Sequence, residues 1–436
     1  MKKKVLIYID GDEYIRNYFT YNSFDLPEYE VFFYANHKIS QKYILQTLKN
    51  FKGYIYESSL RTYLRFLQCD MQMIKYIKTS KSFNFRLNRY GRKRQLLLKI
   101  LNLPIIKNLV DIYIKMRLGE NEQVENILLK EKPDIVLVPS QIAGEICLDI
   151  IYSCNKLGIK TLFLIDGWDN ISSKTVFPIY PSYLAVWGQQ SVDHAVEIQN
   201  FSRDHVFTIG TPRFESYLSL TGKPENPYDF KYILFTGCSI PFDEISALKA
   251  LDYSLIKNNI KDIKIIYRPH PWRHPRKCFD YFIREDFKNV ILDKQMDQYY
   301  YCTKIIGVNY AIQPSLEYYP WLLKNCMFTI SPLTTMIIEA AIMNKYVLTL
   351  AYDDGYHYTN PLNALKNYEH FIGIEKISAF KFCYNFDDLT NIFLSLLKDI
   401  EQNSQPKNVK EEFKYIIEID NEKYSEKLNK ILKKIL

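Results

Sequence analysis

Residues 328–350, FTISPLTTMIIEAAIMNKYVLTL, form the stretch that decides the fold. They read as a strand, a hydroxyl-rich turn, a short helix and a second strand. The first N–H groups of a helix have no partner within it, and the helix dipole favours negative charge there. Ser331, Thr334 and Thr335 add hydroxyl donors, so the turn is predicted to bind phosphate. Glu339 lies about one helical turn further on, where its carboxylate could accept hydrogen bonds from a ribose.

A second element sits some sixty residues earlier along the chain. Strand–turn–helix units with a Ser/Thr cap are common, and most bind nothing, so the first stretch needs support. Residues 265–273 read IIYRPHPWR, a buried strand that ends abruptly in two prolines. Arg268, His270 and Arg273 follow at its carboxyl end, where ligands of open α/β sheets bind. We expect them to face the same phosphates; alternatively, the His270 ring only packs into the proline turn.

These two elements together are similar to a known family. The R-P-H-P sequence, the Ser/Thr-rich turn and the pair Glu339-Ala340 resemble the C-terminal half of GT-B glycosyltransferases. In particular, they resemble bacterial surface-polysaccharide transferases and the related CDP-glycerol glycerophosphotransferases, over residues 161–350. The resemblance implies an α/β fold of two Rossmann-like domains with a cleft between them. It also implies a nucleotide donor on the second domain, an acceptor on the first, and no bound metal.

The domain organisation follows from the alternation of strands and helices, which predicts doubly wound parallel sheets. Residues 221–227, TGKPENP, make the best linker because they hold two prolines, a glycine and no apolar pattern. We expect an acceptor-binding domain at 1–222 and a donor-binding domain at 228–408. A C-terminal helix within 409–436 could cross back to the first domain, as in GT-B proteins.

Composition limits the class of protein. The 436 residues are 47% hydrophobic, which is enough for two full cores. The eight cysteines are scattered, without a C-x-x-C pair, and several lie in apolar runs, as reduced core thiols do. This indicates a cytoplasmic protein without disulfides or zinc. The lysine-rich start turns polar at Asp10, too soon for a signal peptide, and no run is long enough for a transmembrane helix.

A basic helical insertion at about 60–130 interrupts the first domain. Between Lys75 and Arg117 the chain has twelve cations, interleaved with apolar residues, and one acid, Asp111, within a net charge of +8. Basic helices with an apolar side bind anionic membrane surfaces. The alternatives are a solvated helical face and a nucleic-acid site, and the absence of RNA-binding motifs excludes the latter from our prediction. We predict peripheral attachment at the inner face of the plasma membrane.

The third motif is residues 164–174, LIDGWDNISSK, directly after an apolar strand of the first domain. In a GT-B arrangement it lies at the cleft, where a carboxylate can act as general base on an acceptor hydroxyl. Alternatively, its polar residues simply cap the following turn. The candidates are Asp166 and Asp169 as the base, Trp168 as a stacking platform for a sugar, Asn170 beside it, and Lys174 as an anion partner.

Further polar candidates follow two other strands. Asp10, Asp12 and Glu13 come after the first strand, where an acceptor could reach them. Residues 210–214, GTPRF, are similar to a G-x-P-R/K sequence that lies near the hinge and donor in GT-B enzymes. Arg213 would then touch the phosphate or the acceptor, whereas the alternative is a surface salt bridge.

Two departures from the family's patterns shape the functional prediction. Retaining GT-B enzymes often have a glutamate eight residues before the ribose-binding one, and here that position is Ser331. CDP-glycerol transferases carry a His-Gly pair where this chain has residues 167–170, GWDN. These departures favour sugar transfer over polyol-phosphate transfer. His270 also counts as a catalytic candidate, since it would offset charge on the leaving phosphate.

The sequence therefore predicts a metal-independent glycosyltransferase with no cofactor other than its nucleotide-sugar co-substrate. It would extend a growing or lipid-linked cell-surface polysaccharide: capsule, O-antigen or lipooligosaccharide. The alternatives are a CDP-glycerol-type transferase, a non-hydrolysing nucleotide-sugar epimerase and a non-catalytic scaffold on the same fold. An epimerase needs a fuller set of acids and bases. The nucleotide, the sugar, the acceptor and the stereochemical outcome stay open.

Overall fold

The computed structural model describes residues 2–140, 144–218, 220, 226–270, 282–297, 318–402, 404–406 and 409–436. The chain divides into two compact units. Unit 1 comprises Met1–Glu215, Tyr368–His370 and Lys414–Leu436, and unit 2 comprises Ser216–Asn367 and Phe371–Phe413. Most of the predicted linker, residues 221–225, lies outside the described residues.

Each unit is built on one parallel sheet. The strands are β1 Lys4–Ile9, β2 Glu30–Asn36, β3 Phe51–Ile55, β4 Ile135–Ser140, β5 Lys160–Ile165, β6 Tyr183–Val186 and β7 Val206–Thr208 in unit 1, and β8 Lys231–Thr236, β9 Ile263–Arg268, β10 Val290–Leu292, β11 Thr329–Pro332, β12 Val347–Leu350 and β13 Phe380–Cys383 in unit 2. Their orders are β3-β2-β1-β4-β5-β6-β7 and β10-β9-β8-β11-β12-β13. This confirms the predicted α/β class with two Rossmann-like units.

Helices cover both faces of each sheet, which explains why the central strands are continuously apolar. The α-helices are α1 Asp12–Tyr14, α2 Lys42–Thr47, α3 Ser59–Tyr76, α4 Lys81–Asn88, α5 Arg92–Leu101, α6 Pro104–Leu118, α7 Glu122–Glu131, α8 Glu145–Leu157, α9 Gln189–Glu197, α10 Glu215–Leu218, α11 Glu244–Lys257, α12 Tyr318–Asn325, α13 Thr335–Ile342, α14 Pro361–Asn367, α15 Leu389–Glu401, α16 Val409–Phe413 and α17 Tyr424–Ile435. Among the described residues, no helix combines the length and the apolar character that crossing a membrane requires.

The predicted helical insertion is present between β3 and β4 as the five helices α3 to α7. Its helices α3, α5 and α6 pack on one another. Leu64 and Met71 of α3 form a small core of their own with Ile114 and Leu118 of α6. Apolar contacts within the insertion therefore hold α6 against α3.

The C-terminal segment Lys414–Leu436 belongs to unit 1. The backbone N–H of Glu418 donates to the carbonyl of Trp187, at 2.8 Å. This close approach needs a glycine at position 188, because a Cβ on Gly188 would lie 2.6 Å from the carbonyl oxygen of Ile416. Helix α17 then buries its apolar side against the sheet of unit 1.

Candidate active-site residues at two sheet edges

The carboxyl edge of the sheet in unit 2 carries the predicted phosphate-binding turn. Helix α13 begins there, directly after β11. Thr334 is its N-cap, and its hydroxyl oxygen accepts a hydrogen bond from the N–H of Met336 at 3.1 Å. Thr334 and Thr335 are half-buried. This edge therefore presents two hydroxyl side chains at the positive end of a helix dipole.

Ser331 has a different environment from these two threonines. Its side chain is fully buried within β11. Its hydroxyl group lies 2.8 Å from the hydroxyl of Thr236 and donates to the carbonyl of Pro332, also at 2.8 Å. The hydroxyl is thus hydrogen-bonded inside the fold, and phosphate binding by Ser331 stays a prediction.

Glu339 lies on the buried side of α13. Its side chain is 3% exposed, and its carboxylate accepts a hydrogen bond from the phenol of Tyr217, within the same unit. The contact of Glu339 with Tyr217 was not predicted, because Tyr217 lies 122 residues earlier in the chain. Ribose binding by Glu339 stays a prediction.

Arg268, at the end of β9, is buried and already has partners. Its guanidinium is 2.5 Å from a carboxylate oxygen of Asp293 and 2.7 Å from the amide oxygen of Gln295. It also lies over the ring of Tyr319, 4.3 Å from the centroid. A buried guanidinium needs such compensation. The structure therefore gives Arg268 a structural role that the prediction of donor binding did not include.

The remaining residues of this arginine–histidine element are less defined. His270 is half-buried two residues beyond the end of β9, at the edge where the prediction placed it. Arg273 lies outside the described residues. Arg213 belongs to unit 1, where it is half-buried in a 3₁₀ turn that begins beside the capping hydroxyl of Thr211.

The carboxyl edge of the sheet in unit 1 is rich in acids. Asp10 follows β1 and accepts hydrogen bonds from the Tyr8 phenol at 3.2 Å and from the Asn36 amide at 3.5 Å. Burial raises the pKa of Asp10. Burial also raises the pKa of Glu13, and repulsion from Asp166 and Asp10 adds to that rise. A raised carboxyl pKa in such a setting is typical of an acid–base group.

Asp166, at the end of β5, joins this group. It is 1% exposed, and the amide of Asn17 donates to both of its carboxylate oxygens, at 3.2 and 3.0 Å. Asn17 lies in a π-helical turn, Ile15–Phe19, a kind of turn that is frequent at functional sites. Asn17 was not predicted, although the run of acids just before it is visible in the sequence.

Asp12 lies near these acids and adds to the rise in the pKa of Glu13, but its carboxylate is bound to a loop. Its carboxylate accepts hydrogen bonds from the N–H of Ser40 at 3.1 Å, the hydroxyl of Ser40 at 2.7 Å and the N–H of Gln41 at 2.9 Å. It therefore fixes the loop before α2. The contact of Asp12 with an acceptor stays a prediction.

Asp169 pairs with Lys174, whose ammonium nitrogen is 2.8 Å from its carboxylate. Burial acts to raise the pKa of Asp169, but the charge and the hydrogen bond of Lys174, together with the other local interactions of this carboxylate, hold that pKa below its usual value. Lys174 ends a second π-helical turn, Asn170–Lys174. The pair thus keeps Asp169 ionised, which makes it a weaker proton acceptor than Glu13.

Trp168 is buried beside His370, and its predicted role as a stacking platform for a sugar stays a prediction. Its side chain is 2% exposed, and its ring packs edge-on against the ring of His370, with the centroids 4.9 Å apart. The hydroxyl of Ser172 lies 3.2 Å from Nδ1 of His370. Burial lowers the pKa of His370 to about 3, so the ring is neutral. Nothing in the sequence pointed to His370, about two hundred residues away from Trp168.

Asn170 is the one predicted acceptor residue that is buried without compensation in the described structure. Its side chain is fully buried. Neither its amide oxygen nor its amide nitrogen has a hydrogen-bond partner among the described residues, and the same is true of Nδ1 of His194. Within the described ranges, no group of three or more His, Cys, Asp or Glu residues is arranged to hold a metal ion.

Comparison with known proteins gives a fold and no family. No protein-family model matches the chain, and no curated protein sequence matches it. Among solved structures, the UDP-GlcNAc 2-epimerase from Methanocaldococcus jannaschii in complex with UDP-GlcNAc and UDP is similar, with a TM-score of 0.53 at 16% identity, covering 99% of this chain and 100% of that one. The MnaA–UDP structure from S. aureus has a TM-score of 0.55 at 12% identity, covering 99% and 96%. The chain therefore has a GT-B-type fold.

Proposed function

We propose that this chain is an enzyme that acts on a nucleotide-activated sugar. The observation that carries the proposal is the Thr334-capped start of α13 at the carboxyl edge of unit 2. Such an edge is where open parallel sheets bind ligands, and a helix start suits a phosphate. Two structures of similar fold along their whole lengths hold UDP, one of them with UDP-GlcNAc as well.

Within the proposal, unit 2 binds the nucleotide and unit 1 supplies acid–base groups. Thr334, Thr335 and the first N–H groups of α13 would receive the phosphates, with His270 at the end of the next strand but one. Glu339 would accept from the ribose once Tyr217 gives up its hydrogen bond. Arg268 would support this edge through Asp293 without touching the donor.

Epimerisation is the reaction that the acids of unit 1 support best. Inverting a carbon that carries hydrogen requires removal of a proton and its return on the other face, so two acid–base groups are needed. Asp10 and Glu13 both have raised pKa values, and Asp166 lies close enough to Glu13 to add to its rise. These groups would supply the fuller set of acids that we expect an epimerase to need. The named function of the similar structures agrees with it.

Glycosyl transfer, which the sequence favoured, stays the second candidate. A specific feature supports it: exposed apolar side chains on the basic helices α5 and α6, which suit an enzyme with a lipid-linked acceptor. In that case an ionised Asp169 or a deprotonated Glu13 would take the proton of the acceptor hydroxyl. Either reaction would fit the synthesis of cell-surface polysaccharide.

A single incubation distinguishes epimerisation from glycosyl transfer. With UDP-GlcNAc alone in D₂O, an epimerase yields the 2-epimer with deuterium at C2, whereas a transferase leaves C2 protonated and needs an acceptor. Mass spectrometry and proton NMR of the recovered sugar decide between them. An unchanged sugar in the absence and presence of saccharide acceptors would remove UDP-GlcNAc as the substrate, and the incubation is then repeated with a sugar on the nucleotide that the thermal shift identifies.

The nucleotide is identified by thermal shift with UDP, GDP, CDP, CMP and TDP. A ligand at a hundredfold excess over its Kd stabilises the native state by about 2.7 kcal/mol. We expect one diphosphate to shift the melting temperature of the wild type. A Thr335→Val variant, which keeps the shape and the cap at Thr334, is expected to shift less. If no nucleotide shifts the wild type, a scaffold is the better explanation.

A further inference from the structure

The helical insertion of unit 1 exposes an unusual number of large apolar side chains. Ile105 is 78% exposed and Met116 is 71% exposed. Contiguous exposed apolar surface generally marks a site of interaction. The exposed apolar residues of α5, α6 and the turn between them, which we call the apolar stripe, are Leu96, Leu97, Ile100, Leu103, Ile105, Leu109, Ile112, Tyr113 and Met116.

The apolar stripe follows helical periodicity. In α6 the spacing of Ile105, Leu109, Ile112 and Met116 is four, three and four residues, which places them on one face of the helix. The opposite face carries Ile114, which is fully buried and packs on α3. Packing of α6 on its own unit therefore orients the stripe outward.

The charges around the apolar stripe have one sign. Five exposed cations lie on the same two helices, and no ion pair of theirs is recorded in the part of the chain that the structure describes: Arg92, Lys93, Lys99, Lys115 and Arg117. At 3.6 residues per turn, Lys115 and Arg117 fall on the two sides of the stripe. Asp111, the acid of this segment, is already paired with Lys107.

We propose that the α5–α6 hairpin docks on an anionic bilayer, with the apolar stripe among the acyl chains and the five cations at the lipid phosphates. An amphipathic surface of this composition binds by apolar burial plus attraction to anionic lipid. A second copy of the chain is a poorer occupant, because a twofold contact would bring the same five cations of both copies together. The proposal holds whichever nucleotide-sugar reaction the chain performs.

The first test is flotation with vesicles of phosphatidylglycerol and phosphatidylcholine. We expect the wild type to float, and the I105S/L109S/M116S variant to bind at least tenfold more weakly. These side chains are exposed, so the melting temperature of the variant should be unchanged. The matched control is Y356S/I372S, two exposed apolar residues of unit 2, which should float like the wild type.

The second test changes charge and leaves the stripe intact. K115Q/R117Q is expected to weaken binding by about fivefold per cation, and 0.5 M salt or pure phosphatidylcholine should weaken it similarly. A wild type that does not float would overturn the proposal. If it were also a dimer that I105S/L109S/M116S separates in analytical ultracentrifugation, the stripe would belong to a second copy.

Discussion

The carboxyl edges of the two sheets have the same backbone arrangement and carry different chemistry. In unit 1 the edge gathers carboxyl groups, among them Asp10, Glu13 and Asp166, whose neighbours are amides and other acids. In unit 2 the edge offers capping hydroxyls and the start of a helix, and its arginine is paired with Asp293. In our proposal one edge moves protons and the other holds an anion. The fold alone specifies neither, since both follow from the residues just after each strand.

The strongest test of this difference between the two edges is to replace one acid of unit 1. We expect D10N and E13Q each to lower turnover by about 10²–10⁴-fold, because each removes a proton-transfer group. Nucleotide affinity should stay within twofold, since unit 2 is untouched. Steady-state kinetics and calorimetric titration measure the two quantities separately.

The matched control is Asp12, which lies between these residues and caps a loop. D12N should retain activity within about threefold, on the scale of a lost cap. The raised pKa of Glu13 also predicts that the acid limb of the rate profile lies above pH 4.5, since the base must be ionised to act. Equal losses in D12N and E13Q would remove the distinction between them.

The next largest effect concerns Arg268 in unit 2. R268M should destabilise the protein by about 3–5 kcal/mol, because Asp293 is left buried without its countercharge. R268M/D293N should recover part of that loss, as seen by urea unfolding. If R268K keeps full stability but loses nucleotide binding, Arg268 contacts the donor, as the sequence predicts, and does not act mainly in the structure.

A pH effect on stability is expected in unit 1. His370, with its pKa lowered to about 3, is neutral in the folded state and gains a proton on unfolding below its ordinary pKa of 6.5. Its contribution to the free energy of unfolding is therefore complete at high pH and falls as pH drops below 6.5, by about 2 kcal/mol at pH 5. Thermal unfolding of wild type and H370N between pH 5 and 8 checks this, and the variant should show a shallower slope. Parallel slopes would assign the dependence to His194, whose pKa burial lowers to about 4.

The smallest effect comes from the cap of α13. T334A should cost about 1 kcal/mol of stability and weaken nucleotide binding, whereas T334S, which keeps the hydroxyl, should do neither. Comparing melting temperatures with and without nucleotide separates the two effects. A loss of stability with unchanged nucleotide binding would make Thr334 a cap only.

Sequence patterns located both edges, because apolar strands and the polar residues after them are local features. The helical insertion and the parallel sheets were predictable for the same reason. Pairings across long stretches of chain were not. Arg268 looked like a phosphate ligand since Asp293 lies 25 residues further on. Trp168 was predicted to stack on a sugar, and its packing against His370 had no local signal because His370 lies about two hundred residues further on. Asp12 and Glu13 look alike in the sequence, and only the structure shows that Asp12 is hydrogen-bonded to the loop at Ser40 and Gln41.

Unit 1 is assembled from three separate segments of the chain, and this affects its biosynthesis. This unit includes Tyr368–His370 and the segment Lys414–Leu436, and the ribosome synthesises both long after residue 215 has emerged. At typical translation rates of about 5–20 residues per second, that interval is on the order of ten to forty seconds. During it, a nearly finished sheet waits for α17 with its apolar side uncovered. A nascent chain of this kind should be a good client for chaperones, and splitting the gene after codon 215 should yield an insoluble first half.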